Sequence, residues 1–285
     1  MAGSTTTTLN DLLPEIIQEA MFVASERSIM RGLVKNYTLS PGQGKHVNVP
    51  IYPIQTAQAI TEGNEVDNTA VSTNTAQLTV SPVAIRTMLT DLARTSAASN
   101  VVADLGKLFG EAVARKMDTD LTALFSSFDA PTAGTTVITA AQIFTAVAKL
   151  QASAVPMEGM VCVIHPEVAY DLKSALTTSG NTPFTMGAYG DNANEAMRSG
   201  FIGTLAGIPV YQTSNMANSG SAGNYIGAIF QRDAIGLGMI GDIAIETQRR
   251  ASFLGDDIVC SAYYGTGLLQ SNYGRSLNNN SSINP

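Results

Sequence analysis

Two stretches of the chain carry apolar residues at intervals of three and four, the spacing of one face of a helix. The first runs from Leu13 to Ala24 and ends before Gly32, and the second runs from Ser99 to Phe128. At 1.5 Å per residue the second helix would be about 45 Å long, well above the usual length in globular proteins. Its apolar stripe spans too few heptads to require a coiled coil.

The region between these helices alternates apolar with polar residues, the period of a strand with one buried face. The apolar residues of the two predicted strands are Val47, Val49 and Ile51, then Leu78 and Val80. The polar stretch between them, from about residue 56 to 75, would form the wide tip of a long hairpin. A two-stranded hairpin is marginally stable in water, so we expect another surface to cover it.

Lysine is absent between Lys45 and Lys107. Charged side chains, lysine above all, keep exposed strand edges from pairing with other chains. The absence of this protection favours an arm that lies on a partner molecule.

The second half of the chain mixes helices and strands. Residues 139–154 and 166–176 have helical spacing, and residues 159–165 form a short apolar run typical of a buried strand. A polar loop follows from about 177 to 200. Beyond it we expect a turn and a strand over 201–214, a strand over 224–231, long strands between 243 and 269, and a loose, low-complexity tail.

Residues 236–241 read GLGMIG and match the pattern G-x-G-x-x-G. A dinucleotide-binding motif of this kind has a strand before it and a helix directly after it. Here Ile243, Ile245 and Thr247 alternate with other residues, which indicates a strand instead. We therefore interpret the glycines as turn residues between strands.

The composition of the chain reduces the number of functional classes that fit the sequence. Of the 285 residues 14% are charged, against about 25% in a typical soluble domain. The weakly polar surface suits extensive protein–protein contact, although a monomer with few charges is also compatible with this composition. The net charge of −7, with Arg249-Arg250 as the densest cationic spot, disfavours sequence-independent binding of nucleic acid. We find no membrane span and no secretory signal, which favours an intracellular origin.

The sequence contains no recognisable arrangement of catalytic residues. Cys162 and Cys260 lie in apolar runs and are interpreted as buried thiols. Cys162 and His165 stand three residues apart on one strand and would point to opposite faces. We predict no catalytic residues, cofactor or metal site, although a carboxylate pair assembled by the fold stays open.

The order of elements resembles the major capsid proteins of tailed bacteriophages, which share the HK97-like fold. Three stretches carry the resemblance: the passage into the long helix over 81–125, HPEVAYDLKSAL over 165–176, and GTLAGIPVYQTSNM over 203–216. The resemblance extends from about residue 10 to 275. It implies an α+β fold with an N-terminal arm, an extended hairpin (E-loop), a spine helix, a peripheral domain and an axial domain.

The resemblance also implies a division of the chain. The implied parts are the arm (1–35), the extended hairpin (36–88), the peripheral domain (89–137 and 235–275), the axial domain (138–234) and a flexible tail (276–285). The GLGMIG segment would then be the turn where the chain leaves the axial domain. Because the hairpin lacks lysine beyond Lys45, we predict no lysine–asparagine cross-links between subunits.

A shell protein of this family would form pentamers and hexamers in a virion, after assembly in the cytoplasm of the host bacterium. The chain begins almost directly at the arm, so we expect either a separate scaffolding protein, which the initiating Met1 favours, or a processed form of a longer chain. We also expect a portal, and a decoration protein stays open. The shell would enclose double-stranded DNA without binding it specifically. We expect the acidic hairpin tip to meet cations of a neighbouring subunit, with these contact residues: Glu62, Glu65, Asp67, Arg249 and Arg250.

Two alternatives remain at this stage. An encapsulin-like nanocompartment shares the fold and would differ by enclosing cargo enzymes. A soluble enzyme or an adhesion module would differ by remaining a small monomer.

Overall fold

The computed structural model describes residues 28–40, 42, 44–55, 57, 59, 62–63, 65, 68, 70–92, 101–129, 136–178, 201–216 and 223–283. The predicted helix over 13–24 and most of the predicted loop over 177–200 lie outside these ranges. The helices are α1 (Met30–Leu33), α2 (Val101–Ala123), α3 (Ala140–Ala152) and α4 (Pro166–Thr178). The first strands are β1 (Lys35–Leu39), β2 (His46–Ile51), β3 (Asn74–Thr79), β4 (Ser81–Thr90), β5 (Met160–Ile164) and β6 (Phe201–Leu205). The remaining strands are β7 (Ile208–Gln212), β8 (Asn224–Gln231), β9 (Ile235–Ile240), β10 (Ala244–Arg250), β11 (Gly255–Leu268) and β12 (Gly274–Asn280).

Strand β11 organises the first of two five-stranded sheets. Its first part pairs antiparallel with both β10 and β4, and its last five residues pair with β9, which in turn pairs parallel with β1. The predicted long strands between 243 and 269 are therefore confirmed as β10 and β11. A fourteen-residue strand with partners on both sides is a rigid base for the elements attached to it.

Helix α2 lies on this sheet and contributes Phe109, Val113, Met117 and Leu121 to its core, at the predicted spacing. The pattern predicts Leu124 as the next core position, but Leu124 is only partly buried and Phe125 is buried instead, because a 3₁₀ turn replaces the α-helix there. The long helix ends at Ala123 and continues as one 3₁₀ turn, Leu124–Ser127. The rings of Phe125, Phe128 and Phe230 then meet with centroids 5.4–6.3 Å apart. Because Phe230 belongs to β8 of the second sheet, this cluster joins the two sheets.

The second sheet has the order β12-β8-β5-β7-β6 and is covered by α3 and α4. Thr139 begins α3 with a capping box, in which its hydroxyl accepts from the Gln142 backbone and the Gln142 side chain accepts from the Thr139 backbone. Residues Ile143 and Leu150 of α3 are fully buried against Ile164 of β5. The predicted helices and the predicted buried strand of this region are confirmed.

Two segments differ from the sequence expectations. Residues 201–214 hold two strands, β6 and β7, because Ala206 and Gly207 adopt positive φ angles and turn the chain back. Residues 276–280, expected to begin a flexible tail, lie in β12, which pairs with β8 along its whole length. Leu277 is buried, and the Asn279 amide donates to the Thr136 carbonyl (3.1 Å) and to Gln142 Oε1 (2.9 Å). Pairing with β8 and the hydrogen bonds of Asn279 thus hold a polar strand that has few apolar residues, while Asn278 Oδ1 and Asn280 Oδ1 are buried without a partner.

The aromatic cluster gives a direct test of how the sheets are held together. Phe230→Ala should lower the free energy of unfolding of the unassembled subunit by about 3–5 kcal/mol, because it removes a fully buried ring. The matched control is Phe144→Ala on α3, where the ring is half exposed and the expected loss is below about 1 kcal/mol. Urea denaturation measures both, and equal losses would show that the cluster does not join the sheets.

Candidate inter-subunit surface

The hairpin predicted from the alternating residues is present. Strands β2 and β3 pair antiparallel from His46 opposite Thr79 to Ile51 opposite Asn74. Val47, Val49 and Ile51 on one face are half-buried, and the residues between them are exposed. The hairpin therefore has one weakly covered apolar face, as the sequence indicates.

Apolar side chains continue beyond the paired strands without cover. Tyr52 is 69% exposed and Ile54 is 77% exposed, and Val71 on the returning segment is also exposed. Each of these side chains would release ordered water on contact with another surface, at about 25 cal/mol per Å² of apolar area buried. The outer part of the hairpin is thus an apolar surface available to a partner.

The root of the hairpin, in contrast, is firmly packed. Leu78 and Val80 are buried, and the Val80 N–H donates to the Lys45 carbonyl at 2.8 Å. Val80 alone separates β3 from β4, which is paired with β11 from Ser81 onward. The hairpin is therefore a continuation of the first sheet that leaves the plane of β11 at Val80.

Four glycines make room for this departure. Gly236 and Gly238 of β9 stand opposite Gly267 and Gly265 of β11, and we call these four residues the glycine platform. A Cβ atom would lie 2.9 Å from Leu78 Cδ1 at Gly236 and 2.5 Å from Leu78 Cδ2 at Gly267, both too close for real contacts. At Gly265 it would collide with the Thr79 carbonyl oxygen. The platform lets the root of the hairpin lie directly on the backbone of the sheet.

This geometry corrects the interpretation of GLGMIG as turn residues. Gly236 and Gly238 lie inside strand β9, and within the segment only Gly241, with φ +65°, has a turn conformation. The segment also has no helix after it, since β10 follows. A sequence signal for the platform did exist, because Gly-x-Gly occurs in β11 as Gly265–Gly267 as well as in β9.

The acidic contact residues lie at the hairpin tip. Glu62 and Glu65 are exposed, and Asp67 lies outside the described residues. Exposed carboxylates at the end of a projecting hairpin are accessible to a neighbouring molecule. Their role in a contact between subunits stays a prediction.

The two predicted cationic contacts lie at one end of the first sheet and already have partners in their own chain. The Arg249 guanidinium donates to both carboxylate oxygens of Asp91 at 2.7 Å and lies 3.4 Å from Asp256, and the bond to Asp91 raises the pKa of Arg249. Arg250 Nε lies 2.6 Å from Asp257 Oδ2. Neither arginine forms an ion pair with Glu62 or Glu65 within the described chain.

Exposed apolar residues surround these ion pairs. Leu92, two residues after β4, is 79% exposed, and Leu254, directly before β11, is 68% exposed. The Asp91 N–H donates to the Leu254 carbonyl at 2.8 Å and holds the two segments together. Phe253 is also exposed, with Arg250 6.0 Å above its ring. We call Asp91, Leu92, Phe253 and Leu254 with the two arginines the sheet corner. The sequence predicted the arginines as contact residues but not the apolar residues beside them, because the approach of Leu92 depends on the Asp91–Leu254 hydrogen bond between distant parts of the chain.

The segment that leads into α1 is bound to helix α2 through a buried carboxylate. Asp118 of α2 is fully buried and accepts a hydrogen bond from the Ser28 hydroxyl at 3.0 Å. Burial raises the pKa of Asp118, while hydrogen bonds from Ser28 and from the backbone of Ile29 and Met30 act in the opposite direction. Asp118 thereby fixes the start of α1 on the helix that forms the first core.

The groups considered for catalysis have structural roles. Cys162 is fully buried, which raises its pKa to about 12, and Cys260 is buried too, with its pKa raised to about 11. His165 stacks on Tyr225 with ring centroids 3.6 Å apart, and burial lowers its pKa. Within the described ranges no group of three His, Cys, Asp or Glu side chains could hold a metal ion. None of the helices described is long and apolar enough to cross a membrane.

Comparison with known proteins identifies relatives of this fold. A family model described as phage capsid protein matches residues 74–274. The capsid structure of the cyanophage P-SCSP1u is similar with a TM-score of 0.69 at 18% identity, covering 90% of this chain and 89% of the other. The capsid of Ralstonia phage GP4 gives 0.66 at 12% identity with 87% of each chain covered, and a structure from Mycobacterium phage Che8 gives 0.63 at 18% identity with 82% and 85% covered. A search of curated protein sequences found no match.

The buried carboxyl group of Asp118 predicts that the stability of the subunit depends on pH. A pKa raised in the folded chain means that the carboxyl contributes most below its unfolded pKa, about 4, and that the contribution is lost as the pH rises through the folded pKa. The variant Asp118→Asn lacks this titration. The difference between its free energy of unfolding and that of the wild type should therefore shift in favour of the variant as the pH rises from 4 to 7. Urea denaturation of unassembled subunits across this range measures the difference.

The Ser28 hydroxyl provides the control for this prediction. Because its hydrogen bond lowers the pKa of Asp118, Ser28→Ala should make the wild-type pH dependence steeper. A difference between wild type and Asp118→Asn that stays constant with pH would contradict the assignment.

Proposed function

This chain belongs to the phage capsid protein family and is a structural shell protein of a virion, and we propose that its copies form pentamers and hexamers of an icosahedral shell around double-stranded DNA. The observation that carries the proposal is the hairpin, whose root is buried while its outer apolar residues are uncovered. The family match does not favour the encapsulin-like alternative.

The hairpin would lie over a neighbouring subunit and cover apolar residues there. Fully burying a side chain such as Ile54 contributes about 1.5–3 kcal/mol, so Tyr52, Ile54 and Val71 together supply a substantial but reversible contact. A closed symmetric assembly repeats the same contact in every subunit, which makes closure cooperative. The N-terminal arm would clasp a further subunit in the same way.

The sheet corner is the surface on which we place the acidic tip. Glu62, Glu65 and Asp67 would approach Arg249 and Arg250 of a neighbouring subunit, next to exposed Leu92 and Leu254. Both arginines would keep their own-chain carboxylates and share their remaining N–H groups with the tip. Exposed ion pairs are weak, so the charges would set the register of the contact while apolar burial supplies its strength.

We propose a division into an arm (1–35), an extended hairpin (36–88), a peripheral domain (89–137 and 235–275) and an axial domain (138–234). Since β12 pairs with β8, we extend the axial domain to include the strand that begins at Gly274. In this arrangement α2 with β9, β10 and β11 would form the peripheral domain, and β1 and β4, from the two ends of the hairpin segment, would complete its sheet. The second sheet with α3 and α4 would form the axial domain at the capsomer centre.

The remaining partners follow from the shell role. We propose a non-enzymatic protein that assembles in the host cytoplasm with a separate scaffolding protein and a portal. The net charge of −7 suits a container that does not hold packaged DNA by charge. We propose no cofactor, and a decoration protein stays open.

Assembly of the expressed full chain tests the proposed function. Negative-stain electron microscopy and light scattering, with and without a co-expressed scaffolding protein, should show closed shells. The contrary result is a single 29.8 kDa species under every condition. Boiled shells on denaturing gels should give one band at the subunit mass, and a ladder of larger bands would contradict the predicted absence of covalent cross-links.

Charge reversal at the tip tests the proposed contact. Glu62→Lys should leave the free energy of unfolding of the subunit within about 0.5 kcal/mol of wild type, because the residue is exposed, yet reduce the yield of closed shells. The matched control is Glu158→Lys, which makes the same change of charge at an exposed site in the axial domain. Equal yields for the two variants would remove the acidic tip from the contact.

A further inference from the structure

The hairpin has one buried attachment point. Of the twelve residues in β2 and β3, Leu78 alone is fully buried, and its two methyl groups point at Gly236 and Gly267. The Thr79 carbonyl that follows lies directly over Gly265. We call Leu78 with Gly236, Gly265 and Gly267 the Leu78 seat.

The other connection of the hairpin constrains its direction less, and it is bonded to the root where the Lys45 carbonyl accepts from the Val80 N–H. The chain enters β2 through residues 40–45, where Gly42 and Gly44 have φ angles of +93° and +85° and an added Cβ would meet nothing within 4 Å. The exit through Val80 leads directly into β4, which ten residue pairs fix to β11. The direction of the hairpin is therefore decided at the exit, where Leu78 and Val80 lie on the platform.

A small change at this point is amplified toward the tip. Six residues of strand span about 20 Å, so a tilt of about 10° moves the far end by about 3.5 Å, as much as a van der Waals contact distance. Subunits that differ in this tilt would offer the outer residues Tyr52 and Ile54 to different positions on a neighbour. A uniform shell therefore requires a uniform hairpin direction.

We propose that Leu78 is a positioning residue, and that its seat on Gly236, Gly265 and Gly267 sets the hairpin direction and thereby selects one shell size. This inference rests on the proposed function and specifies how the hairpin carries it out. The three positions require glycine because a Cβ at Gly265 would collide with the Thr79 backbone carbonyl, and a Cβ at Gly236 or Gly267 would displace a methyl group of the buried Leu78 side chain.

A set of four variants isolates the seat. Gly267→Ala places a methyl group 2.5 Å from Leu78 Cδ2 and should tilt the hairpin, whereas Leu78→Ala removes the seated side chain and should loosen it. The double variant Gly267→Ala/Leu78→Ala adds one methyl group from below where Leu78→Ala alone removes three carbon atoms, so it fills part of the space and should restore part of the wild-type behaviour. Gly238→Ala is the matched control on the same platform, since its Cβ would meet Val47 Cγ2 at an ordinary 3.5 Å.

Spin labels measure the hairpin direction in unassembled full-length subunits. Both native cysteines are fully buried, so cysteines introduced by Gln55→Cys on the hairpin and Gln248→Cys on β10 react selectively. Wild type and Gly238→Ala should give the same narrow distribution of distances. Gly267→Ala should shift its centre by about 3 Å or more, and Leu78→Ala should broaden it without a defined new centre.

Electron microscopy of shells made from the same variants without the labels gives the second readout. We expect one shell size for wild type and Gly238→Ala, mixed sizes or open sheets for each single seat variant, and a return toward one size for the double variant. If Gly267→Ala does not fold, Leu78→Ala and the double variant still decide the matter, because both relieve the crowding.

The inference is overturned if Leu78→Ala keeps the wild-type distance distribution, or if altered distances accompany shells of unchanged size. In the second case the proposed function stands and the seat does not select shell size. A wild-type chain that never forms shells removes the proposed function and the claim about shell size together, while the distances still report whether the seat directs the hairpin.

Discussion

An isolated two-stranded hairpin cannot bury its own apolar residues, and this constraint shapes the rest of the molecule. Strands β2 and β3 leave Val47, Val49 and Ile51 half-covered and the residues beyond them uncovered. The chain stabilises the root by packing Leu78 and Val80 on the first sheet, and it leaves the outer part exposed. In the proposed shell a second copy would cover this outer part, so that assembly would extend the burial of the apolar face that folding begins.

The root of the hairpin packs directly on the backbone of the glycine platform, which requires the sheet underneath to be rigid. Strand β11 meets this need because it pairs with β10, β4 and β9 along its length, and because α2 covers it with fully buried residues such as Leu121. The phenylalanine cluster around Phe230 extends the rigid region to the second sheet. In the proposed shell, this rigid base would let each subunit present its hairpin to a neighbour in the same direction.

Periodic patterns in the sequence predicted the elements well wherever one face of an element is buried. The hairpin, the long helix, α3, α4 and β5 follow from such patterns, and the resemblance to tailed-phage capsid proteins follows from their order. Gly236 was assigned to a turn because its role depends on Leu78, a residue far away in the sequence. Asn279 was assigned to a tail because hydrogen bonds to Thr136 and Gln142, and not apolar residues, hold its strand. The own-chain partners of Arg249 and Arg250 are Asp91, directly after β4, and two aspartates of β11, and local sequence gives no sign of that proximity.

Hydrogen exchange at individual amides of residues 46–79, compared between dissociated subunits and assembled shells, tests the central claim most directly. Our account predicts that amides at the root, around Leu78 and Val80, are protected in both states. It predicts that amides near Tyr52 and Val71 exchange at close to unfolded rates in the subunit and at least about tenfold more slowly in shells. Equal protection of the outer hairpin in the two states would show that it is stable without a neighbour and would contradict the account.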